Sequence, residues 1–301
     1  MLGAQVGEGT FGGVWRARRR VDNSLVVMKM AHPREGEAAG IQRAANEYFF
    51  LKECEHPHII KALGVYASSH PFQAALVLEF AECSLEAMLS KTNTFENDLE
   101  NIHLTPNRAT FHLFSGIAAI HERAFVHRDV KPGNILIVRS AQDGHGVLKV
   151  SDFGSMIEAA SKINDHAQTR PYRSPEVHMG GRCEHSSDMW SVGCVLCELM
   201  GWTQNGVKKR TPVFAASDAA QAFVAILQQL GRPPAEYISA TDRRPPALPE
   251  HLWPKAPVRM PEAPRVPHAQ PDGQRVIDGL LRYTNRGTAQ ALRESQYCRG
   301  L

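Results

Sequence analysis

The sequence predicts an α+β fold of two lobes, in which a small β-rich lobe precedes a larger, mainly helical one. The segments before residue 82 are mostly short runs of β-branched and aromatic residues between turn-forming ones, which is typical of strands. After residue 82, apolar residues recur three and four positions apart, which is typical of amphipathic helices. We therefore predict one domain over residues 1–301, with an N-lobe at 1–81 and a C-lobe at 82–301.

In the N-lobe, strands are predicted on both sides of one helix. Turn-forming residues at 22–24 separate two β-prone runs and indicate a hairpin. Helical spacing then covers residues 38–54, until a His-Pro pair at 56–57 ends it. Two further strand-like runs, at 59–66 and 74–80, complete the lobe.

In the C-lobe, Thr105 followed by Pro106 predicts the start of a helix, since Thr caps helices and Pro is accepted in the first turn. Later helices are predicted over residues 187–200, 218–230 and, as the last one, 274–283. Eleven of the 19 prolines lie between residues 231 and 275. This stretch is therefore predicted to be an extended surface insert and not a separate domain.

The composition suits a protein that buries a sizeable core, because 43% of the 301 residues are hydrophobic and 22% are charged. A net charge of +3 gives no reason to expect nucleic acid or an anionic membrane as the main partner. No apolar run approaches the roughly 20 residues of a membrane span, and no targeting signal is evident. Six scattered cysteines favour reduced thiols, so we expect a cytoplasmic location, a nuclear one, or both.

A glycine-rich segment near the N-terminus is the first candidate for chemistry. Its members are Gly7, Glu8, Gly9, Thr10, Phe11 and Gly12, followed by Val14. Glycines at this spacing let the backbone approach phosphate oxygens and present N–H donors. Many glycine-rich turns bind nothing, but this one lies between two strands, which favours a phosphate-covering hairpin over a dinucleotide fold.

Two charged residues of the N-lobe are candidates for nucleotide binding because of the motifs around them. Lys29 ends an apolar strand and, if it is not a solvated edge residue, would reach the phosphates of a nucleotide. Glu47 on the predicted helix would hold that ammonium by charge pairing.

The most specific segment runs from His127 to Asn134 and is followed by Asp152-Phe153-Gly154. Phosphoryl transfer needs mainly positioned groups and neutralised phosphate charge. Asp129 would orient or accept the proton of an attacking hydroxyl, and Lys131 would neutralise the γ-phosphate. Asn134 and Asp152 would bind magnesium, which prefers hard oxygen ligands.

Together these motifs resemble the protein kinase superfamily, in the family's order and over essentially the whole chain. The resemblance extends to Ser174-Pro175-Glu176, Asp188 with Trp190, and Arg286. It implies the bilobal protein kinase fold, ATP and Mg²⁺ as cofactors, and protein substrates with Ser or Thr targets.

The resemblance also assigns roles to individual residues. Val14, Val27 and Leu136 would sandwich adenine, Leu78 would gate the pocket behind it, and the backbone of Glu79 and Ala81 would bond its edge. Glu176 and Arg286 look like a buried ion pair, Asp188 like the support of the catalytic loop, and Leu51, His127 and Phe153 like parts of a hydrophobic stack.

Two features indicate the substrate class. Lys131 and Thr169 are similar to the serine/threonine pattern. Arg173 is similar to a marker of the group that contains cyclin-dependent, mitogen-activated and SR-protein kinases, the CMGC group. This residue implies proline after the target hydroxyl, which is a hypothesis at this point.

Several positions depart from the family's pattern. Val27 replaces alanine and adds two methyl groups beside adenine. Asn164 takes the place of the usual activating phosphothreonine, so Asp165 or a phosphate on Ser161 would have to supply an anion to Arg128. Residues 39–47 do not match the helix that binds cyclin, so an activating protein is conceivable but cyclin dependence is doubtful.

Six residues precede Gly7 and 15 follow Arg286, so the first strand and last helix are expected to be incomplete.

Two other functions are weighed against an active protein kinase. A pseudokinase that acts as a nucleotide-binding or scaffold module is the main alternative, although such a protein has no chemical need for all the residues named above. A small-molecule kinase is disfavoured by the peptide-binding segment around Arg173.

Overall fold

The computed structural model of the chain describes residues 2–9, 12–30, 37–69, 72–90, 101–161, 167–201, 212–240, 264, 266 and 269–299. These residues form a β-rich lobe followed by a mainly helical one, which confirms the predicted α+β fold class.

The N-lobe is built on an antiparallel sheet of five strands in the order β1-β2-β3-β5-β4. The strands are β1 (Leu2–Gly9), β2 (Gly12–Arg18), β3 (Leu25–Met30), β4 (Ala62–Ser69) and β5 (Phe72–Glu79). Helix α1 (Glu37–Glu53) packs against β4 and β5, and its buried Leu51 joins the core that continues into the C-lobe.

The C-lobe carries short strands at its boundary with the N-lobe and helices behind them. The strands are β6 (Cys83–Ser84), β7 (Phe125–Val126), β8 (Ile135–Arg139), β9 (Gly146–Val150) and β10 (Ile157–Glu158), with β6, β8 and β9 in one sheet and β7 and β10 in another. The described helices are α2 (Leu85–Leu89), α3 (Pro106–His121), α4 (Pro175–His178), α5 (His185–Leu199), α6 (Ala219–Leu230), α7 (Ala235–Ala240), α8 (Pro271–Leu280), α9 (Ala289–Arg293) and α10 (Gln296–Arg299). None of these described helices is long and apolar enough to cross a membrane.

Capping explains where the long helices begin. The Thr105 hydroxyl accepts the N–H of Arg108, as expected from its place before Pro106. Helix α5 begins two residues before its predicted start, because Glu184 and Ser187 form a reciprocal capping box. The sequence pattern missed this start since glutamate is not a usual N-cap residue.

The loop between α1 and β4 contacts the C-lobe. The run predicted as a strand over 59–66 is split, and its first part pairs with β9 of the C-lobe: Ile60 N–H donates to Val150 O at 2.9 Å. Helix α3 approaches the same loop at Gly116, where a Cβ atom would lie 2.6 Å from His58 O. The His58 ring stacks on His112 of α3, with ring centres 4.2 Å apart.

Two predictions for the end of the chain need correction. The helix predicted as the last one ends at Leu280, and α9 and α10 follow it, because Thr288 caps a new helix after the chain turns. The predicted extended surface insert at 231–275 lies partly outside the described residues. Some of its described residues are buried in the core instead of lying on the surface. Tyr237 and Val266 are 8% and 5% exposed and belong to the core.

Candidate active site

The glycine-rich segment forms the hairpin between β1 and β2. Gly9 pairs with Gly12 and Gly7 with Val14. Thr10 and Phe11 lie outside the described residues. Gly12 has a φ of 140°, which a residue with a Cβ atom rarely adopts. The hairpin therefore depends on a glycine at this end.

Lys29 of β3 lies between two carboxylates. Its Nζ is 3.0 Å from Oε2 of Glu47 on α1 and 2.5 Å from Oδ1 of Asp152. Oε1 of Glu47 also accepts the backbone N–H of Phe153 at 3.2 Å. Burial lowers the pKa of Lys29, but Glu47 and Asp152 raise it by more, so the pKa lies above its usual value and the ammonium is charged.

The loop that carries the catalytic candidates is anchored by Asp188 at the start of α5. This fully buried carboxylate accepts the backbone N–H groups of His127 and Arg128 at 2.8 and 2.9 Å, and the ring of His121 at 2.9 Å. Burial raises the pKa of Asp188, but the bonds to His121 and the charges nearby lower it more, so the pKa is below its usual value. The carboxylate can therefore hold the loop as an ionised acceptor.

Two residues of the site have left-handed backbones. Arg128 has a φ of 70° and Asp152 a φ of 63°. Such conformations cost energy for residues with a Cβ atom and cluster at functional sites. Asp188 compensates this cost at Arg128, since it binds that residue's N–H group.

Asp129 is the centre of a hydrogen-bonded network. Its carboxylate accepts Lys131 Nζ at 2.8 Å, Thr169 Oγ1 at 2.6 Å and Asn134 Nδ2 at 2.9 Å. Burial raises the pKa of Asp129, but the bonds from Lys131 and Thr169 lower it more, so the pKa is below its usual value. Asp129 is therefore ionised at neutral pH and can act as an acceptor.

Asn134 and Asp152 supply the oxygen donors that a magnesium ion prefers. Asn134 uses its amide nitrogen for the carbonyl and carboxylate of Asp129, so its amide oxygen is the atom that remains for a metal. Asp152 brings a carboxylate to the same cleft, where Lys29 contacts it. One amide oxygen and one carboxylate are hard ligands, and the pair therefore fits Mg²⁺.

Comparisons with known proteins agree with this geometry. Residues 2–298 match the protein kinase domain family. The chain belongs to the protein kinase family. Its two-lobed structure is thus the protein kinase fold, as predicted.

Several curated relatives place this kinase in the CMGC group of serine/threonine kinases. It is 30% identical to cell division control protein 2 homolog 2 of Trypanosoma brucei brucei, over 97% of this chain and 80% of the relative. It is 31% identical to cyclin-dependent kinase 7 of Xenopus laevis over 77% of this chain, and 33% identical to mitogen-activated protein kinase 15 of the same frog over 65%. The chain spans 62% and 33% of these two relatives.

The residues that the sequence assigns to adenine lie on strands of the two lobes. Val14 is paired with Lys29, and Val27 with Leu78, in the N-lobe sheet. Leu136 lies on β8. These side chains are half-buried or buried, which suits contact with a flat apolar ring.

The segment that links the lobes is fixed at its first residue. Glu79 Oε1 accepts Lys149 Nζ at 2.6 Å and Lys61 N–H at 2.8 Å, and Glu79 N–H donates to Lys61 O at 3.0 Å. Ala81 follows two residues later and is half-buried. The side chain of Glu79 thus contacts Lys61 of the N-lobe and Lys149 of the C-lobe, which holds the connection between them in place.

Glu176 and Arg286 are joined by two bonds, of 2.6 and 3.0 Å. The same carboxylate accepts Tyr237 at 2.6 Å and Ser187 at 2.8 Å. Burial raises the pKa of Glu176, but Arg286 and Tyr237 lower it more, to about 2. The sequence resemblance indicated the pair but neither Tyr237 nor Ser187, since nothing in the local pattern links them to Glu176.

The segment before Glu176 is described from residue 167 onward. Asn164, at the position of the usual phosphothreonine, and Asp165, which the sequence suggested as an anion for Arg128, lie outside the described residues. Arg173 donates to Ala167 O at 2.9 Å and to Gln168 O at 3.0 Å. Gln168 has a φ of 66°, and this feature was not predicted from the sequence.

Proposed function

We propose that this chain is an active protein kinase that transfers the γ-phosphate of Mg-ATP to Ser or Thr hydroxyls of proteins. The observation that carries the proposal is the pair of networks around Lys29 and Asp129. Lys29 contacts both Glu47 and Asp152, and Asp129 contacts both Lys131 and Thr169. A scaffold protein without activity would not require both networks to be intact.

In this proposal each of the site residues has a separate role in phosphoryl transfer. The target hydroxyl oxygen forms a bond to the γ-phosphorus while the bond from phosphorus to the β–γ bridging oxygen breaks, and the hydroxyl proton passes to the Asp129 carboxylate. Lys131 neutralises charge on the transferred group, and Lys29, held by Glu47, binds the other phosphates. Magnesium, held by Asn134 and Asp152, would neutralise phosphate charge when it is bound.

Proline after the target residue is supported by the backbone at Gln168. Because its carbonyl oxygen already accepts Arg173, it is a poorer acceptor for an N–H group of a substrate. A substrate residue with an N–H at that point would leave a polar group unsatisfied, whereas proline has none to satisfy. The chain is therefore proposed to favour proline directly after the target.

The decisive experiment measures phosphate transfer from Mg-ATP to Ser and Thr peptide libraries by the purified chain and its Asp129→Asn variant. We expect transfer to fall by about 10³-fold or more in the variant, since the group that positions the hydroxyl is lost. The matched control is Asp143→Asn, an exposed aspartate in the turn between β8 and β9, which should keep full activity.

A second variant separates the active kinase from the pseudokinase. Glu47→Gln should lower kcat/KM by about 10²-fold because Lys29 loses its charged partner. Glu53→Gln, an exposed glutamate on the same helix, should not. Folded wild-type protein that binds Mg-ATP but phosphorylates no peptide would favour the pseudokinase, and a library signal that ignores proline would remove only proline direction.

The need for an activating protein is tested by the same assay. Glu47 contacts Lys29 in the isolated chain, so α1 is already in the position that brings these residues together. We therefore propose that the chain is active without cyclin, although two of its relatives are named for cell division control and cyclin dependence. Activity that appears only after a partner is added would contradict this.

A further inference from the structure

The hairpin of β2 and β3 carries a cluster of positive charge where its two strands are joined. Arg16, Arg18, Arg19 and Arg20 occupy four of five successive positions, and all four are exposed. Four arginines and the single aspartate at position 22 give residues 16–22 a formal charge of +3, which equals the net charge of the whole chain. Residues 16–21 form what we call the arginine tip. Its local field is strong because charges within about 8 Å of one another are not screened by physiological salt.

Hydrogen bonds fix the turn at the arginine tip. Arg19 N–H donates to Ser24 O at 3.0 Å, and Asn23 N–H donates to Arg19 O at 3.1 Å. The carboxylate of Asp22 accepts the N–H of Ser24 at 3.1 Å and its hydroxyl at 2.6 Å. The guanidinium of Arg18 donates to Asn23 O at 2.9 Å. Because the backbone is already ordered, docking on a partner costs little conformational entropy.

The charges of the arginine tip are accessible to a partner. Arg19 forms an ion pair with Asp22 at 3.1 Å, but both side chains are 47% exposed, and such surface pairs are weak. Among the residues that the structure describes, Arg16 and Arg20 form no ion pair. Guanidinium groups bind phosphate oxygens through paired N–H donors. The tip therefore suits a surface that is rich in phosphate groups.

Val21 adds an apolar side chain to this cluster. It follows Arg20 in the turn and is 90% exposed, although the hydrogen bonds of the turn hold its backbone in place. A single exposed valine is common on protein surfaces. Next to several arginines, however, it makes the tip amphipathic, because the side chain leaves water when it enters the boundary between lipid headgroups and acyl chains. A soluble polyanion offers no such apolar layer.

The pairing of β2 argues against a partner that binds the arginines as an extended peptide. This strand lies between β1 and β3 in the sheet, so residues 12–18 are paired on both sides. A peptide groove would need the backbone around Arg16 and Arg18 to leave the sheet. A membrane surface can instead be contacted by a convex hairpin without any change of backbone.

We propose that the arginine tip docks the chain on the surface of an anionic lipid bilayer. The guanidinium groups contact lipid phosphates, and Val21 enters the headgroup boundary. This peripheral contact needs no helix that crosses the membrane. It also goes beyond the proposed function, since it requires neither nucleotide nor phosphate transfer.

The test is sedimentation of the purified chain with vesicles of phosphatidylcholine that contain about 30% phosphatidylserine, or with vesicles of phosphatidylcholine alone. We expect binding to the anionic vesicles to be at least about tenfold tighter and to weaken as salt is raised. A wild-type chain that binds both kinds of vesicle equally, or neither, would overturn the proposal.

Charge variants locate the contact. The triple variant Arg18→Gln, Arg19→Gln, Arg20→Gln should bind anionic vesicles about 10²-fold more weakly, since each arginine near the surface contributes about fivefold. Arg20→Gln alone should lose about fivefold and leaves the bonds of the turn intact. The control removes three exposed arginines of the C-lobe, through Arg182→Gln, Arg275→Gln and Arg299→Gln, and should bind like the wild type. Thermal unfolding establishes that each variant is folded. Equal losses in the two triple variants would overturn the proposal, because net charge alone would then decide.

Val21 distinguishes a lipid surface from an acidic protein. Val21→Ser should weaken binding to anionic vesicles about three- to tenfold, and it should leave the binding of soluble polyglutamate unchanged. If polyglutamate binds as tightly as the vesicles and Val21→Ser changes neither affinity, the arginine tip is a site for an acidic protein and the assignment to lipid is overturned.

Discussion

The hydroxyl of Tyr237 lies 2.6 Å from Oε2 of Glu176 and joins positions 61 residues apart in the chain. Tyr237 belongs to α7, at the beginning of the proline-rich stretch, while Glu176 belongs to α4, which follows residues 167–174. The burial of Tyr237 raises the pKa of its hydroxyl, so it stays a donor to the carboxylate. Helix α7, the described beginning of this stretch, is thus attached to the Glu176–Arg286 ion pair.

Removing this hydroxyl should destabilise the kinase. Tyr237→Phe keeps the ring and loses a hydrogen bond to a charged group, so we expect the free energy of unfolding to fall by about 1.5–3 kcal/mol. Urea denaturation measures the change. Tyr66→Phe at a 64% exposed position is the control and should change stability little. Equal stability of the two variants would mean that water replaces the bond to Glu176.

Two glycine substitutions should act in opposite directions. Gly116→Ala would place a Cβ atom 2.6 Å from His58 O, a backbone atom that cannot move alone, so we expect a loss of about 2 kcal/mol or more. Gly279→Ala in α8 meets nothing within 4 Å and should stabilise the protein by about 0.5–1 kcal/mol. Thermal unfolding of both variants is the measurement, and a neutral Gly116→Ala would refute the close approach of α3 to the loop.

The stacked histidines predict acid sensitivity. Burial lowers the pKa of His58 to about 4 and that of His112 to about 3, from an ordinary value of 6.5. Below pH 6.5 the unfolded chain binds protons that the folded protein does not. The stability from both residues is therefore complete above pH 6.5 and is lost as the pH falls toward 4 and 3, by about 1.4 kcal/mol per pH unit for each histidine.

Denaturation in urea at pH 7 and pH 5 checks this dependence. His58→Asn keeps a donor for Leu148 O and should weaken the dependence on pH, while His103→Asn at an exposed position should not. A pH dependence that is the same in both variants would exclude His58 as a source.

Val27 should limit nucleotide affinity. If its side chain contacts adenine, Val27→Ala removes two methyl groups from the contact and should tighten Mg-ATP binding by about three- to tenfold. The dissociation constant is the proper measurement because it does not depend on transfer activity. Val21→Ala, at a position 90% exposed in the β2–β3 turn, should leave it unchanged. Weaker binding by Val27→Ala would show that valine improves the adenine contact.

By itself, the sequence determined the fold class and the family, and it assigned candidate residues to the active site. Local signals sufficed for these features: hydrophobic spacing for α1, a cap and proline for α3, and a catalytic string too specific to arise by chance.

The contacts between distant residues were decided only by the tertiary structure. The bonds of Tyr237 to Glu176 and of Gln168 to α5 depend on side chains that meet after the helices pack, and polar side chains at such positions look like surface residues in a sequence. The same holds for the left-handed backbone of Gln168, because the bonds that compensate its cost come from residues 6 to 23 positions away.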